Sequence, residues 1–141
     1  MVNRSVIPQE ILPYSLLEPQ IGGAGDQAYI LPTGSRTIYV VAHVVMGDNA
    51  DVVLVPKTSD DATGTNAAVL AANVPIWVNR VRESSDAKNY TISPNTGTFV
   101  VVFAIPANIV PEGKYVGLSV AANNNGNLLS AIAYVDPIYS L

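Results

Sequence analysis

Clusters of turn-forming residues punctuate the chain from Asp26 onward: Pro32-Thr33-Gly34-Ser35, Gly47-Asp48-Asn49, Pro94-Asn95-Thr96-Gly97, Asn123-Asn124-Asn125-Gly126 and Asp136-Pro137. This punctuation most constrains the fold. The segments between the clusters are short and rich in valine, isoleucine and threonine, which suit a pleated sheet better than a helix. The strands expected are Gln27–Leu31, Arg36–Met46, Ala50–Val55, Val74–Val81, Asn89–Ser93, Thr98–Ala104, Lys114–Ala121 and Leu128–Val135. The alanines of 67–72 suit either a helical turn or a strand. Residues 56–66 read as a polar loop, and 105–113 as a connection with one helical turn.

Gly47-Asp48-Asn49 predicts a hairpin between the strands it joins, and Asn123-Asn124-Asn125-Gly126 gives the strongest hairpin signal in the chain. In Lys114–Ala121, Tyr115, Gly117 and Ser119 alternate with Val116, Leu118 and Val120, so the two sets belong on opposite faces. Closely spaced strands of this kind imply an all-β fold: an antiparallel, jelly-roll-like β-sandwich of about eight strands.

Residues 1–25 read differently. Pro8, Pro13 and Pro19 alternate with Ile7, Ile11, Leu12, Tyr14, Leu16 and Leu17, and the segment ends at Gly22-Gly23-Ala24-Gly25. Each proline restricts its own φ and favours extended geometry in the residue before it. The segment is too apolar for a solvated linker. We therefore expect an extended N-terminal arm over residues 1–25 and a sandwich domain over 26–141. The arm's apolar side chains need a surface, either its own domain or a partner's. The six named apolar residues are the candidate clasp. On that reading, deleting residues 1–21 abolishes partner binding and leaves the sandwich folded.

Composition narrows the function. Apolar residues make up 49% of the chain and charged residues 13%, against about 25% charged in a typical soluble domain. The net charge is -4, which argues against a nucleic-acid partner. The absence of cysteine excludes disulfides, thiolate metal sites and cysteine nucleophiles, and a single histidine excludes multi-histidine metal sites. No stretch has the ~20 consecutive apolar residues of a membrane-spanning helix. Pro8, Glu10 and Pro13 interrupt any signal-peptide apolar region.

Chemical constellations are sparse. His43 shares a strand face with Tyr39, Val41 and Val45, and no serine or carboxylate stands at a triad spacing from it. Asp60-Asp61-Ala62-Thr63-Gly64-Thr65-Asn66 loosely resembles a calcium loop, but its twelfth position is Ala71 rather than glutamate, which favours a solvated loop. Trp77 with Tyr90 and Tyr115 would make a sugar-stacking platform if the fold gathered them. Arg80, Arg82 and Lys88 lie among Glu83 and Asp86, and Arg80 and Arg82 are candidate interface residues. The apolar C-terminus, with Tyr139 and Leu141, calls for docking on this domain or a neighbour. No catalytic, cofactor or metal residues are assigned, and the chain is not expected to be an enzyme.

The stretch from Asp51 to Leu141 resembles small virion proteins of tailed bacteriophages, the head decoration or cement subunits. The resemblance rests on the strand Ala50-Asp51-Val52-Val53-Leu54-Val55, the loop Thr58-Ser59-Asp60-Asp61-Ala62-Thr63-Gly64-Thr65 and the lone Trp77. It continues in Lys114-Tyr115-Val116-Gly117-Leu118-Ser119-Val120 and Ala131-Ile132-Ala133-Tyr134. It implies a structural subunit on the outer capsid surface, made in the host cytoplasm, with the phage major capsid protein and further copies of itself (a homodimer or homotrimer) as partners. Alternatives are a neck- or tail-associated virion protein and a carbohydrate-binding module.

Overall fold

The computed structural model describes residues 12–21, 28–32, 35–47, 50–93, 96–121 and 126–137. Its strands are β1 (Leu12–Ile21), β2 (Ser35–Met46), β3 (Val52–Ser59), β4 (Ala68–Val69), β5 (Ile76–Val78), β6 (Val81–Arg82), β7 (Tyr90–Ile92), β8 (Gly97–Pro106), β9 (Tyr115–Ala121) and β10 (Leu128–Pro137). One 3-10 turn, Ala107–Ile109, falls where a single helical turn was predicted.

The strands form two antiparallel sheets. The first has six, in the order β1-β10-β2-β8-β5-β6. In the second, β3 pairs with β9 on one side and with β7 and β4 on the other. Ile30 bridges to Val116 of β9. From β1 through the Ile30 bridge to β2 and β3, and again from β7 through β8 and β9 to β10, the chain changes sheet at each step. The result is β1-β10-β2-β8 against Ile30-β9-β3-β7, the wiring of a jelly roll. The β5–β6 hairpin widens the first sheet beyond β8.

This wiring corrects the hairpin expectations. The turn after Met46 joins β2 of one sheet to β3 of the other, and the Asn-rich turn likewise joins β9 to β10 across the sandwich. Each strand pairs where its inward face meets the core, whichever strand precedes it in the chain.

The core lies between the two inner faces. Ile38, Val40, Ala42 and Val44 from β2 and Val101, Phe103 and Ile105 from β8 meet Val52 and Leu54 from β3 and Val116 and Leu118 from β9. Each set follows the two-residue period of a strand.

The arm is also revised. Residues 12–21 are not a separate arm but an edge strand of the six-stranded sheet, paired to β10. Pro13 and Pro19 fit an edge because one side of that strand needs no ladder donors. The register slips between Ser15 and Leu17, which pair with Ile132 and Ala131 respectively. This bulge lets two consecutive leucines point inward. Leu16 and Leu17 are 1% and 2% exposed, so they belong to this chain's own core and are not free to clasp a partner. The sandwich therefore includes β1, and deletion of residues 1–21 removes one of its strands.

Three further expectations shift. β3 runs through Pro56 to Ser59 rather than stopping at Val55. Pro56 falls between the stretches of β3 that pair with β7 and β4, where its missing N–H breaks no ladder bond. The expected strand Gln27–Leu31 is reduced, among its described residues, to the bridge at Ile30. Val74–Val81 is two short strands turning at Asn79 and Arg80, both with positive φ (49° and 73°). That is a two-residue hairpin turn without glycine, which is why it was hard to read from sequence.

Candidate functional site

In an ordinary antiparallel sandwich the outward residues of each strand are polar. The six-stranded sheet departs from this. Its register aligns Ser15, Ile132, Val41, Val102, Trp77 and Arg82 in one transverse row on the outer face. The adjacent rows hold Tyr134, Tyr39 and Ala104 on one side, and Ser130, His43 and Val100 on the other. Leu128 and Val45 follow beyond His43. The only charged residues of β2, β8 and β10 are Arg36 and Asp136, both near strand ends. Between those ends the face is uncharged and mostly aliphatic and aromatic, with His43, Ser130 and Thr98 as its polar members.

The face has relief. Tyr39, Trp77, Asn79, Arg80, Val100 and Val102 line an open groove of about 780 Å³. Leu128 and Ile132 on β10, on the same face, are 47% and 39% exposed. The β5–β6 hairpin that walls the groove is held to β8: Asn79 N–H donates to the Val100 carbonyl, and Asn79 Oδ1 accepts from Val100 N–H, both at 2.9 Å. The Arg82 guanidinium lies 5.6 Å from the centre of the Trp77 ring and bonds Asp86 at 3.1 Å. Arg80 is exposed and forms no ion pair with the described residues.

The aspartate loop has a structural use. Asp61 Oδ1 accepts from the N–H and hydroxyl of Thr63 and the N–H of Thr65, and Oδ2 accepts from the Thr65 hydroxyl. The Thr65 and Thr63 hydroxyls, with the Thr65 and Thr63 N–H groups, hold the Asp61 carboxyl far below the usual carboxylate range. Lys114 and Asn66 donate to Asp60 and lower its pKa as well. Asp61 thus spends both its oxygens within the loop, and Asp60 is neutralised by a lysine. No group of three or more His, Cys, Asp or Glu gathers as a metal site among the described residues.

The loop also clamps Tyr29, whose N–H donates to the Ala62 carbonyl at 3.1 Å. Its ring lies between Gly64 and Gly117, and burial pushes its phenol pKa up.

The residues singled out in the sequence do not converge. Trp77 belongs to the six-stranded sheet, whereas Tyr90 and Tyr115 lie on β7 and β9 of the other, so the three form no platform. The aromatic neighbour of Trp77 is Tyr39. Among the clasp candidates, Leu16 and Leu17 are core, Leu12 opens β1, and Tyr14 is 41% exposed opposite Ala133 at the sheet edge. Ile7, Ile11, Tyr139 and Leu141 lie outside the described residues. Arg80 and Arg82 are exposed at the rim of the apolar face. Sequence reasoning missed that face. Its signal was present in Ile38–Met46, Phe99–Ile105 and Leu128–Val135, which are apolar at both strand parities and read as strands covered on both sides.

Comparison with protein-family models, curated proteins and solved structures finds no match to this chain.

Proposed function

We propose that this chain is a structural, non-enzymatic subunit of a tailed-phage particle, a decoration or cement protein that binds the outer surface of the major capsid protein lattice and stabilises the head. The apolar outer face of the six-stranded sheet carries this reading. Such a face on one small domain calls for a protein cover. A lattice-bound subunit needs contact surface rather than an acid, base and nucleophile. Its weak contacts add through multivalency when many copies engage one shell. The resemblance of residues 51–141 to head-associated virion proteins points the same way.

The glycan-binding alternative has less support. Trp77 is the stacking residue it needs, and the Arg82 guanidinium already stands over that ring.

Quantitative mass spectrometry of purified particles tests the proposal. A copy number comparable to the major capsid protein is expected. A few copies per particle would move the subunit to the neck or tail, and absence from the particle would overturn the virion reading.

A further inference from the structure

We propose that the outer face of the six-stranded sheet pairs two copies of this chain, face to face about a two-fold axis along the strands. This inference concerns the same apolar face that supports the virion reading; a dimer formed through it meets the capsid lattice with its remaining surfaces.

Size is the first argument. The four long strands, about 4.8 Å apart and running roughly 26 Å over eight residues, with the shorter β5–β6 hairpin beside them, project roughly 500–600 Å². A corrugated face exposes more than its projection, which brings it near the ~800 Å² per partner of a standard stable interface.

Strand order supplies the second. With the order β1-β10-β2-β8-β5-β6, an axis between β2 and β8 lays β10 of one copy over β5 of the other. β2 of one copy then lies over the β8 floor of the other's groove, and the exposed Leu128 and Ile132 of β10 lie over its β5 wall. In the transverse row, Ile132 faces the second copy's Trp77, and Val41 faces its Val102. Aligned sheets pack in this way, with their side chains interdigitated. Each transverse row thus meets the same row of the second copy in reverse order, as an isologous contact requires.

Charge is the third. The same axis lays β1 over β6. Ser15, in the row with Ile132, donates to Glu18 Oε1 at 3.1 Å, so a carboxylate stands at the β1 end of the face. Arg80 stands at the other end, beside the Arg82–Asp86 pair. Two-fold pairing brings acid to base at both rims and leaves the charge-free centre buried, the usual anatomy of an interface.

The test uses the full chain. Sedimentation across a concentration series should give a dimer of twice the 14.8 kDa chain mass. Trp77, the sole tryptophan, should report dissociation as a red shift in emission on dilution. Val102→Glu, which places one charge per copy at the centre, should raise the dimer dissociation constant at least about 100-fold. Thr91→Glu, on the exposed side of the other sheet, should leave it unchanged. Far-UV circular dichroism checks that both variants are folded.

A chain that stays monomeric at its solubility limit overturns the proposal, and so does a dimer indifferent to a folded Val102→Glu. If the chain is monomeric and Val102→Glu instead abolishes binding to capsid shells, the face belongs to the lattice rather than to a second copy. Copy number on particles is read separately, so neither failure is confused with failure of the virion reading.

Discussion

The ring of Tyr29 occupies the space that a side chain on Gly117 would need. A Cβ added at Gly117 would come within 2.5 Å of Tyr29 Cδ2, and one at Gly64 within 2.8 Å of Tyr29 Cε1. Tyr29 thus ties the first connection of the chain to β9 and to the aspartate loop. Gly117→Ala should destabilise the fold by about 1–3 kcal/mol through overpacking. Tyr29→Ala should cost about 3–5 kcal/mol, as for other large buried aromatics. Because the two changes share one space, the double variant should lose less than their sum in urea unfolding. Strict additivity would mean that the ring and the glycine do not touch.

Leu16 and Leu17 give the sharpest contrast between sequence and structure. A clasp residue could be truncated without loss of fold. A leucine 1% exposed cannot, and Leu16→Ala should cost about 2–5 kcal/mol. Tyr14→Ala, at the exposed edge, should fall within about 1 kcal/mol of the parent. Chemical denaturation of the two variants separates these outcomes. Equal effects would return β1 to the status of a loosely held arm.

The acid limb of stability follows from Asp60 and Asp61. Both carboxyls are held below their ordinary pKa of 3.8 in the folded chain. A depressed folded pKa stabilises fully above the unfolded value and is lost as pH falls, because below that value the unfolded chain binds more protons than the folded one. The melting temperature should therefore be flat near neutrality on account of these groups, and should fall as pH drops through about 4 and below. Asp61→Asn should lower the melting temperature at pH 7 and flatten the acid slope. A variant that keeps the parent's slope would show that other carboxylates set it.

Most of the long strands from β2 onward were legible because valine-rich segments between turn clusters have few other ways to fold, whereas β4 and the β5–β6 division were not. The long strands β2, β8, β9 and β10 fall close to their expected spans. What was not legible depended on long-range choice. Turn-forming residues follow β2 and precede β10 in the sequence, but whether the next strand pairs with the last or crosses the sandwich depends on which inward faces fill the core. The prolines of residues 12–21 read as a break with the sheet, yet they are equally at home on a sheet edge. Pro56 read as a strand end because nothing local shows that its neighbouring strands leave a gap. The candidate site was hidden for a related reason. Apolar residues stand at both parities of β2, β8 and β10, and only the register shows that half of them face outward together.

The β5–β6 turn supports a last prediction. Asn79 and Arg80 both hold positive φ, at 49° and 73°. Asparagine tolerates that region, because its short polar side chain bonds locally; arginine does not. In two-residue hairpins of this kind the second position favours glycine. Arg80→Gly should relieve about 1–2 kcal/mol of left-handed strain against about 0.4–1 kcal/mol of added unfolded-chain entropy, a net stabilisation of up to about 1 kcal/mol. Asn79→Ala should act the other way, since it keeps the strained φ and removes the bond that Oδ1 accepts from Val100 N–H at 2.9 Å. A loss of about 1–2 kcal/mol is expected there. Because this hairpin walls the groove beside Trp77, the fluorescence of that residue tracks the change directly. Asn79→Ala should leave the indole emission broader and more accessible to quencher at temperatures well below global unfolding, whereas Arg80→Gly should not. If Arg80→Gly instead destabilised the chain, the arginine side chain would be contributing more to the hairpin than its backbone geometry costs.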